Sequence, residues 1–265
     1  MMWKKGAKYG AVFRISLSQQ FAYFYDFLIR TLFLILILFV FSRLWITAYT
    51  SGGTALIEGY TLEKMMWYLM VTESIYMAFP ALVDRIEKDV KNGEIAYFLN
   101  RPISYIGFQY GQYLSEAVFR VAINLCVGSV LIYFMAGGIP IPNLLGFIPL
   151  VFLALTLQYV TVMAVCLSSF WVEDIRGFHL VYSRLLMIIG GMMVPLEIFP
   201  EWLQHIARIL PFQSIIYLPA SFFVGAHTEP LATMLIEQGL WLVFFTLILL
   251  GIYRLGVKRL NVNGG

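Results

Sequence analysis

The sequence predicts an all-α, polytopic membrane protein: six transmembrane helices, an interfacial amphipathic helix before the first, and a re-entrant helical hairpin between the fifth and sixth. Three observations predict it. Apolar residues make up 60% of the 265 residues and charged ones only 12%, with a mean hydropathy of +0.80, whereas soluble domains carry about 45–50% and about 25%. Apolar runs long enough to cross a bilayer recur along the whole chain, a crossing needing about 20 residues at about 1.5 Å rise through a core about 30 Å thick. Lysine and arginine crowd onto alternate connections between those runs.

Residues 1–24 are the interfacial element. Lys4, Lys5, Lys8 and Arg14 accompany an apolar stripe of Tyr9, Val12, Phe13, Leu17 and Phe21, the pattern of a helix lying in the plane of the membrane surface. No small-residue cleavage site follows the first apolar run, so the first span is expected to stay. Span one runs from Phe27 to Tyr49, ended by Ser51, Gly52 and Gly53, and span two from Met65 to Val83. A charged loop at 84–104 leads to span three, Phe108 to Met135, closed by Gly137, Gly138, Pro140 and Pro142. Span four covers Leu144 to Phe170, the polar link Glu173, Asp174, Arg176 follows, and spans five and six run from His179 to Phe199 and from Leu231 to Leu255.

Six spans put both termini on one side. That side holds twelve Lys and Arg (Lys4, Lys5, Lys8, Arg14, Arg85, Lys88, Lys91, Arg101, Arg176, Arg254, Lys258, Arg259) against three (Arg43, Lys64, Arg208) on the other, which assigns both termini to the cytoplasm. The chain reads as one membrane domain, 1–265, without internal repeats.

Two stretches stand out. In the loop at 84–104, Ile86 and Val90 share a helical face, Gly93 interrupts, and Ile95, Phe98 and Leu99 form a second apolar cluster among charges. Apolar anchors ringed by charge suit docking on a cytoplasmic partner; a solvated loop is the alternative. At 200–224, Pro200 followed by Glu201 opens a helix whose apolar face is Trp202, Leu203, Ile206, Ile209 and Leu210, and a second arm from Phe212 is cut by Pro219, too short to cross. Such breaks survive at membrane depth only when lined by protein or a wet cavity; an external amphipathic loop is the alternative.

Ionisable residues within spans are functional suspects. Asp26 with Arg30, and Glu116 with Arg120, are spaced to neutralise each other on one helical face. Glu73 has no such neighbour and should face the interior, with Arg184 of span five as its candidate partner. Met187, Met192 and Met193 beside Gly190 and Gly191 suit either an adaptable pathway or helix packing. Cys126 and Cys166 lack metal or redox spacing, and His179, His205 and His227 form no catalytic or zinc motif. No catalytic or metal site is expected, and no basic stripe with interleaved aromatics suggests nucleic acid.

These two stretches, in this order and between these spans, resemble the permease subunits of type-2 ATP-binding-cassette transporters, in the smaller bacterial branch of about 260 residues. Gly93-Glu94-Ile95, Leu99 and Arg101-Pro102-Ile103-Ser104 look like that family's coupling-helix loop. Gly190-Gly191, Pro195, Phe199-Pro200, Trp202 and Leu210-Pro211-Phe212 look like its broken outer hairpin. The resemblance implies an ATP-driven exporter in the bacterial inner membrane, working as a dimer with an identical or paralogous permease on an amphipathic or hydrophobic substrate. ATPase coupling would fall to Ile86, Asp89, Val90, Gly93, Glu94, Ile95, Leu99 and Arg101. An outer gate would be built from Pro195, Phe199, Pro200, Trp202, Pro211 and Phe212. The chain contains no GxxxxGK[ST] phosphate cradle, so ATP and Mg would be bound by separate cytoplasmic ATPase subunits and this chain would be no enzyme. The rival readings are an ion-coupled secondary transporter working through Glu73 and an intramembrane scaffold or enzyme.

Overall fold

The structure, a computed structural model, describes residues 2–22, 24–53, 55–99, 102–138, 144–172 and 174–263, leaving aside the side chains of 2–7, 21–28, 96, 97, 99 and 259–263. The elements described are twelve α-helices: α1 Met2–Ala22, α2 Phe24–Gly52, α3 Leu62–Met77, α4 Leu82–Lys91, α5 Glu94–Leu99, α6 Tyr105–Ala136, α7 Leu144–Leu167, α8 Arg176–Ile189, α9 Glu201–Ile209, α10 Phe212–Ile215, α11 Tyr217–Phe223 and α12 Leu231–Asn263. Five stretches are long and apolar enough to cross a membrane: Ile29–Gly52, Leu62–Lys91, Tyr105–Ala136, Leu144–Phe170 and Leu231–Lys258.

Helix α3 is the axis of the bundle. Every residue from Met65 to Ile75 is buried, as expected of a helix that is apolar all round and surrounded by protein; α2, α6 and α11 pack against it, while α12 packs along α7. Thr61 caps its start by accepting from the Lys64 amide. Within the second membrane-length stretch helix α3 ends at Met77, because Pro80 supplies no amide to continue the ladder. The chain restarts as α4 at Leu82.

Helix α1 lies along α6 through the expected stripe. Tyr9, Val12, Phe13 and Leu17 are half-buried and Ser16 buried, while Lys8, Arg14 and Ile15 are exposed. The approach is close because α6 offers glycine there. A Cβ on Gly107 would come within 2.7 Å of the Tyr9 ring, and one on Gly111 within 3.3 Å of Val12. The Ser104 amide, just before α6, donates to the Tyr9 hydroxyl at 3.2 Å.

The fifth apolar run departs from a continuous span. Helix α8 has 14 residues, about 21 Å at the helical rise, short of the hydrocarbon core of about 30 Å. It stops at Gly190, and Gly191 takes a φ of +73°, a left-handed turn that glycine adopts without steric cost. Irregular backbone with a 3-10 turn at Leu196–Ile198 then leads to α9, whose N-cap is Pro200. The second hairpin arm also differs from expectation. Pro219 does not break it, since it sits in the first turn of α11, where a missing amide costs no helical bond; the break falls at Ile216, between α10 and α11.

Candidate functional site

Two regions along α3, one at its C-terminal end and one from its start to its middle turns, carry much of the polar organisation among the described residues. At one end, α4 is tied to its neighbours by charge. Arg85 bridges to Glu116 of α6 at 2.7 Å, Glu116 also takes Arg120 at 3.3 Å, and Asp89 accepts from Tyr105 and Gln109 of α6, both at 2.7 Å. Arg176, opening α8, lies 3.7 Å from both Asp84 and Glu87, and Lys91 pairs with Glu87 within α4. Helices α6 and α8 are thereby fastened to the same ten-residue rod.

This arrangement corrects the role expected of the apolar anchors. Ile86 and Ile95 are fully buried in the chain's own core, and Val90 packs against that core. A side chain with no exposed surface has nothing to offer a partner. The exposed rim consists of Asp84, Lys88, Lys91, Asn92, Gly93 and Glu94, with Gly93 at a φ of +71° making the sharp corner between α4 and α5. Asp89 faces α6 instead of the rim. Leu99 lies on α5 with its side chain outside the described set, and Arg101 lies outside the described residues.

With its middle turns, α3 holds the broken backbone that follows α8. Tyr68 donates to the Gly191 carbonyl, and Thr72, one turn on, donates to the Met192 carbonyl at 2.8 Å. Glu197 is a hub. It accepts from the Tyr60 hydroxyl at 3.3 Å and from Tyr217 of α11, while Gln204 of α9 donates to the Glu197 and Phe199 carbonyls at 3.2 and 2.8 Å. Tyr60 is presented by a tight two-residue turn in which Ile57 and Tyr60 exchange backbone hydrogen bonds. Glu58 and Gly59 there have positive φ, the geometry of a hairpin turn. Burial, reinforced by the Glu197 charge, pushes the Tyr60 hydroxyl far up, so it remains a donor. Irregular backbone inside the bundle is thus satisfied by side chains, as a membrane interior demands.

Of the expected gate residues, Pro195, Pro211 and Phe212 are buried, Phe199 is half-buried, and Pro200 and Trp202 are exposed. Trp202, Ile206 and Ile209 present an exposed apolar face on α9. Pro211 and Phe212, at the turn between the arms, line an apolar cavity of about 270 Å³ with Thr161 of α7 and Phe245 and Ile248 of α12.

Glu73 is buried as expected, 1% exposed, and among the described residues neither carboxylate oxygen has a hydrogen-bond partner. Its expected meeting with Arg184 does not occur, for Arg184 is exposed. The buried position of α8 is Leu186, two residues on and so about 200° around the helix. Glu116 and Arg120 pair locally as expected, but Arg85 joins them from α4. Arg30 is exposed, and the side chain of Asp26 lies outside the described set.

Sequence reasoning missed the α3 clamp and the α4 ion pairs. Tyr68 and Thr72 are four apart, hence on one face of an otherwise apolar helix, which was a readable signal. The partners they hold are backbone carbonyls, which no sequence pattern marks. No curated protein matches the chain at a significant level. The family model described as ABC-2 family transporter protein matches residues 21–264, nearly the whole chain and both regions just described. With its multi-spanning helical bundle, the chain therefore belongs to the ABC-2 transporter family as a membrane-spanning permease.

Proposed function

We propose that the chain is the permease subunit of an ATP-driven exporter in the bacterial cytoplasmic membrane, crossing six times with both termini in the cytoplasm. Two such chains, identical or paralogous, form the pathway for an amphipathic or hydrophobic substrate. Separate cytoplasmic ATPases, which bind the ATP and Mg, dock at the loop 84–104 and drive it. Residues 1–24 lie in the cytoplasmic interface and residues 200–224 form the re-entrant gate on the far side, within one permease domain of residues 1–265. The fifth of the six crossings is completed by α8 together with the irregular segment beyond Gly190.

The observation that carries this reading is the mechanical path along α3. A displacement of the exposed rim of α4 is passed by ion pairs to α6 and α8 and, across the short break at Pro80, to α3, whose middle turns hold Gly191 and Met192 by hydrogen bonds. A flexible solvated loop would absorb such a movement. The test is a disulfide or bismaleimide cross-link between the two hairpins of an assembled dimer, through Trp202→Cys. Arrest of export with ATPase binding intact is expected; undiminished export would remove the gate from the mechanism.

A further inference from the structure

Between the hairpin and the start of α12 lies a crevice of about 410 Å³ that the path along α3 does not use. Its size falls within the range of small-ligand sites, about 300–1,000 Å³. It is lined by charges of both signs: Arg208 from the end of α9, Glu229 and His227 from the turn before α12, and Glu237 from α12. Among the described residues none of these four takes part in an ion pair. Glu237 Oε1 accepts from Gln213 Nε2 at 3.0 Å and Ser214 Oγ at 2.6 Å, which fixes the carboxylate, and no described group bonds its second oxygen. The His227 ring stacks on Phe222 with centroids 4.7 Å apart.

The crevice also has an apolar edge. Ile236 and Leu240, both lining it, are 62% and 67% exposed. Glu237 and Arg254 bracket the apolar stretch of α12, and the 17 residue steps from one to the other rise about 26 Å, close to the hydrocarbon thickness of about 30 Å. Glu237 therefore sits at the headgroup level, on the membrane face opposite α4, with exposed Leu240 leading into the acyl region.

We propose that this crevice seats the headgroup of a zwitterionic, primary-amine phospholipid or of a transported amphiphile with the same headgroup. The ammonium is held by Glu237 and Glu229, the phosphate by Arg208 and His227, and the acyl chains run along Ile236 and Leu240. A purely anionic headgroup would meet two carboxylates. A quaternary ammonium would bring the charge without N–H donors for Glu237. The seat is built by a single chain, so it stands apart from the direction of transport.

The test uses the full chain with its ATPase, purified, reconstituted in nanodiscs of phosphatidylethanolamine with phosphatidylglycerol or phosphatidylcholine, and read by native mass spectrometry for retained lipid. Retention of phosphatidylethanolamine over the other two by about tenfold is expected, the effect of one charge-assisted contact. Glu237→Gln and Arg208→Gln should each abolish that preference. Glu237→Gln keeps an acceptor for Gln213 and Ser214, and exposed Arg208 supplies a second variant should the first fold poorly. Equal retention of the three lipids, or a preference that survives in a folded variant, overturns the proposal. Addition of ATP separates the two sources: a resident membrane lipid stays bound at the same stoichiometry, whereas a transported amphiphile is depleted.

Discussion

Thr72 and Tyr68 show how much rests on single hydroxyls. Each donates from the central helix to a backbone carbonyl that no helix satisfies. Thr72→Val and Tyr68→Phe keep the shape and leave Met192 or Gly191 without its donor, at a cost of about 1–3 kcal/mol each. Thermal unfolding of the detergent-purified variants should show lowered midpoints, and unchanged midpoints in both would deny the clamp. Glu73 predicts the opposite sign. A buried carboxylate without a partner is a standing electrostatic cost, so Glu73→Leu should raise thermal stability while lowering transport. A variant with both properties unchanged would show that the residue is idle. Arg85 is the third case. Arg85→Glu should destabilise the α4–α6 junction by setting like charges together, and Arg85→Glu combined with Glu116→Arg should recover part of the loss in a double-mutant cycle.

At the scale of elements, α4 and the hairpin differ in how legible they were. The alternation of charge with Ile86 and Val90 marked a helical face, an interruption at Gly93 and a second apolar cluster from Ile95, which the structure builds as α4, a corner and α5. The pattern could not say whether those apolar residues face a partner or the chain's own core, because periodicity gives a face but not what covers it. The cover is the chain's own core, in which α7 packs against α4. Ile86→Asp or Ile95→Asp should therefore place an unpaired charge in the core and prevent folding. Lys88→Glu with Asn92→Glu, both on the exposed rim, should leave a folded chain with weakened ATPase binding. Pull-down of the ATPase from membranes holding equal amounts of each folded variant distinguishes the two classes, and full binding by the Lys88 and Asn92 double variant would move the docking surface elsewhere. The hairpin was readable as two short arms because Pro200 and Pro211 punctuate it. The break at Ile216 was not, since no sequence signal marks it and Pro219 offered a more obvious place.

For the whole molecule, the five long spans were plain from hydropathy alone, because hydrocarbon tolerates no other backbone than a satisfied one. The shortened fifth element was obscured by the apolar residues between Gly190 and Phe199, which suit a buried irregular segment as well as a helix. The ion pairs from α4 to α6 and α8 join residues far apart in sequence, and only packing brings them together. What links these levels is one path, from the exposed rim of α4 through buried α3 to the carbonyls beyond α8. Its first step, contact between that rim and a separate ATPase, is the most direct point of test. A photo-cross-linking amino acid placed at Lys88 or Asn92 in native membranes, followed by mass spectrometry of the adducts, reads that contact. Adducts with a protein carrying a nucleotide-binding P-loop are expected from both positions, and none from Thr228 on the opposite face. Adducts with lipid alone from positions 88 and 92, or with the ATPase from position 228, would contradict it.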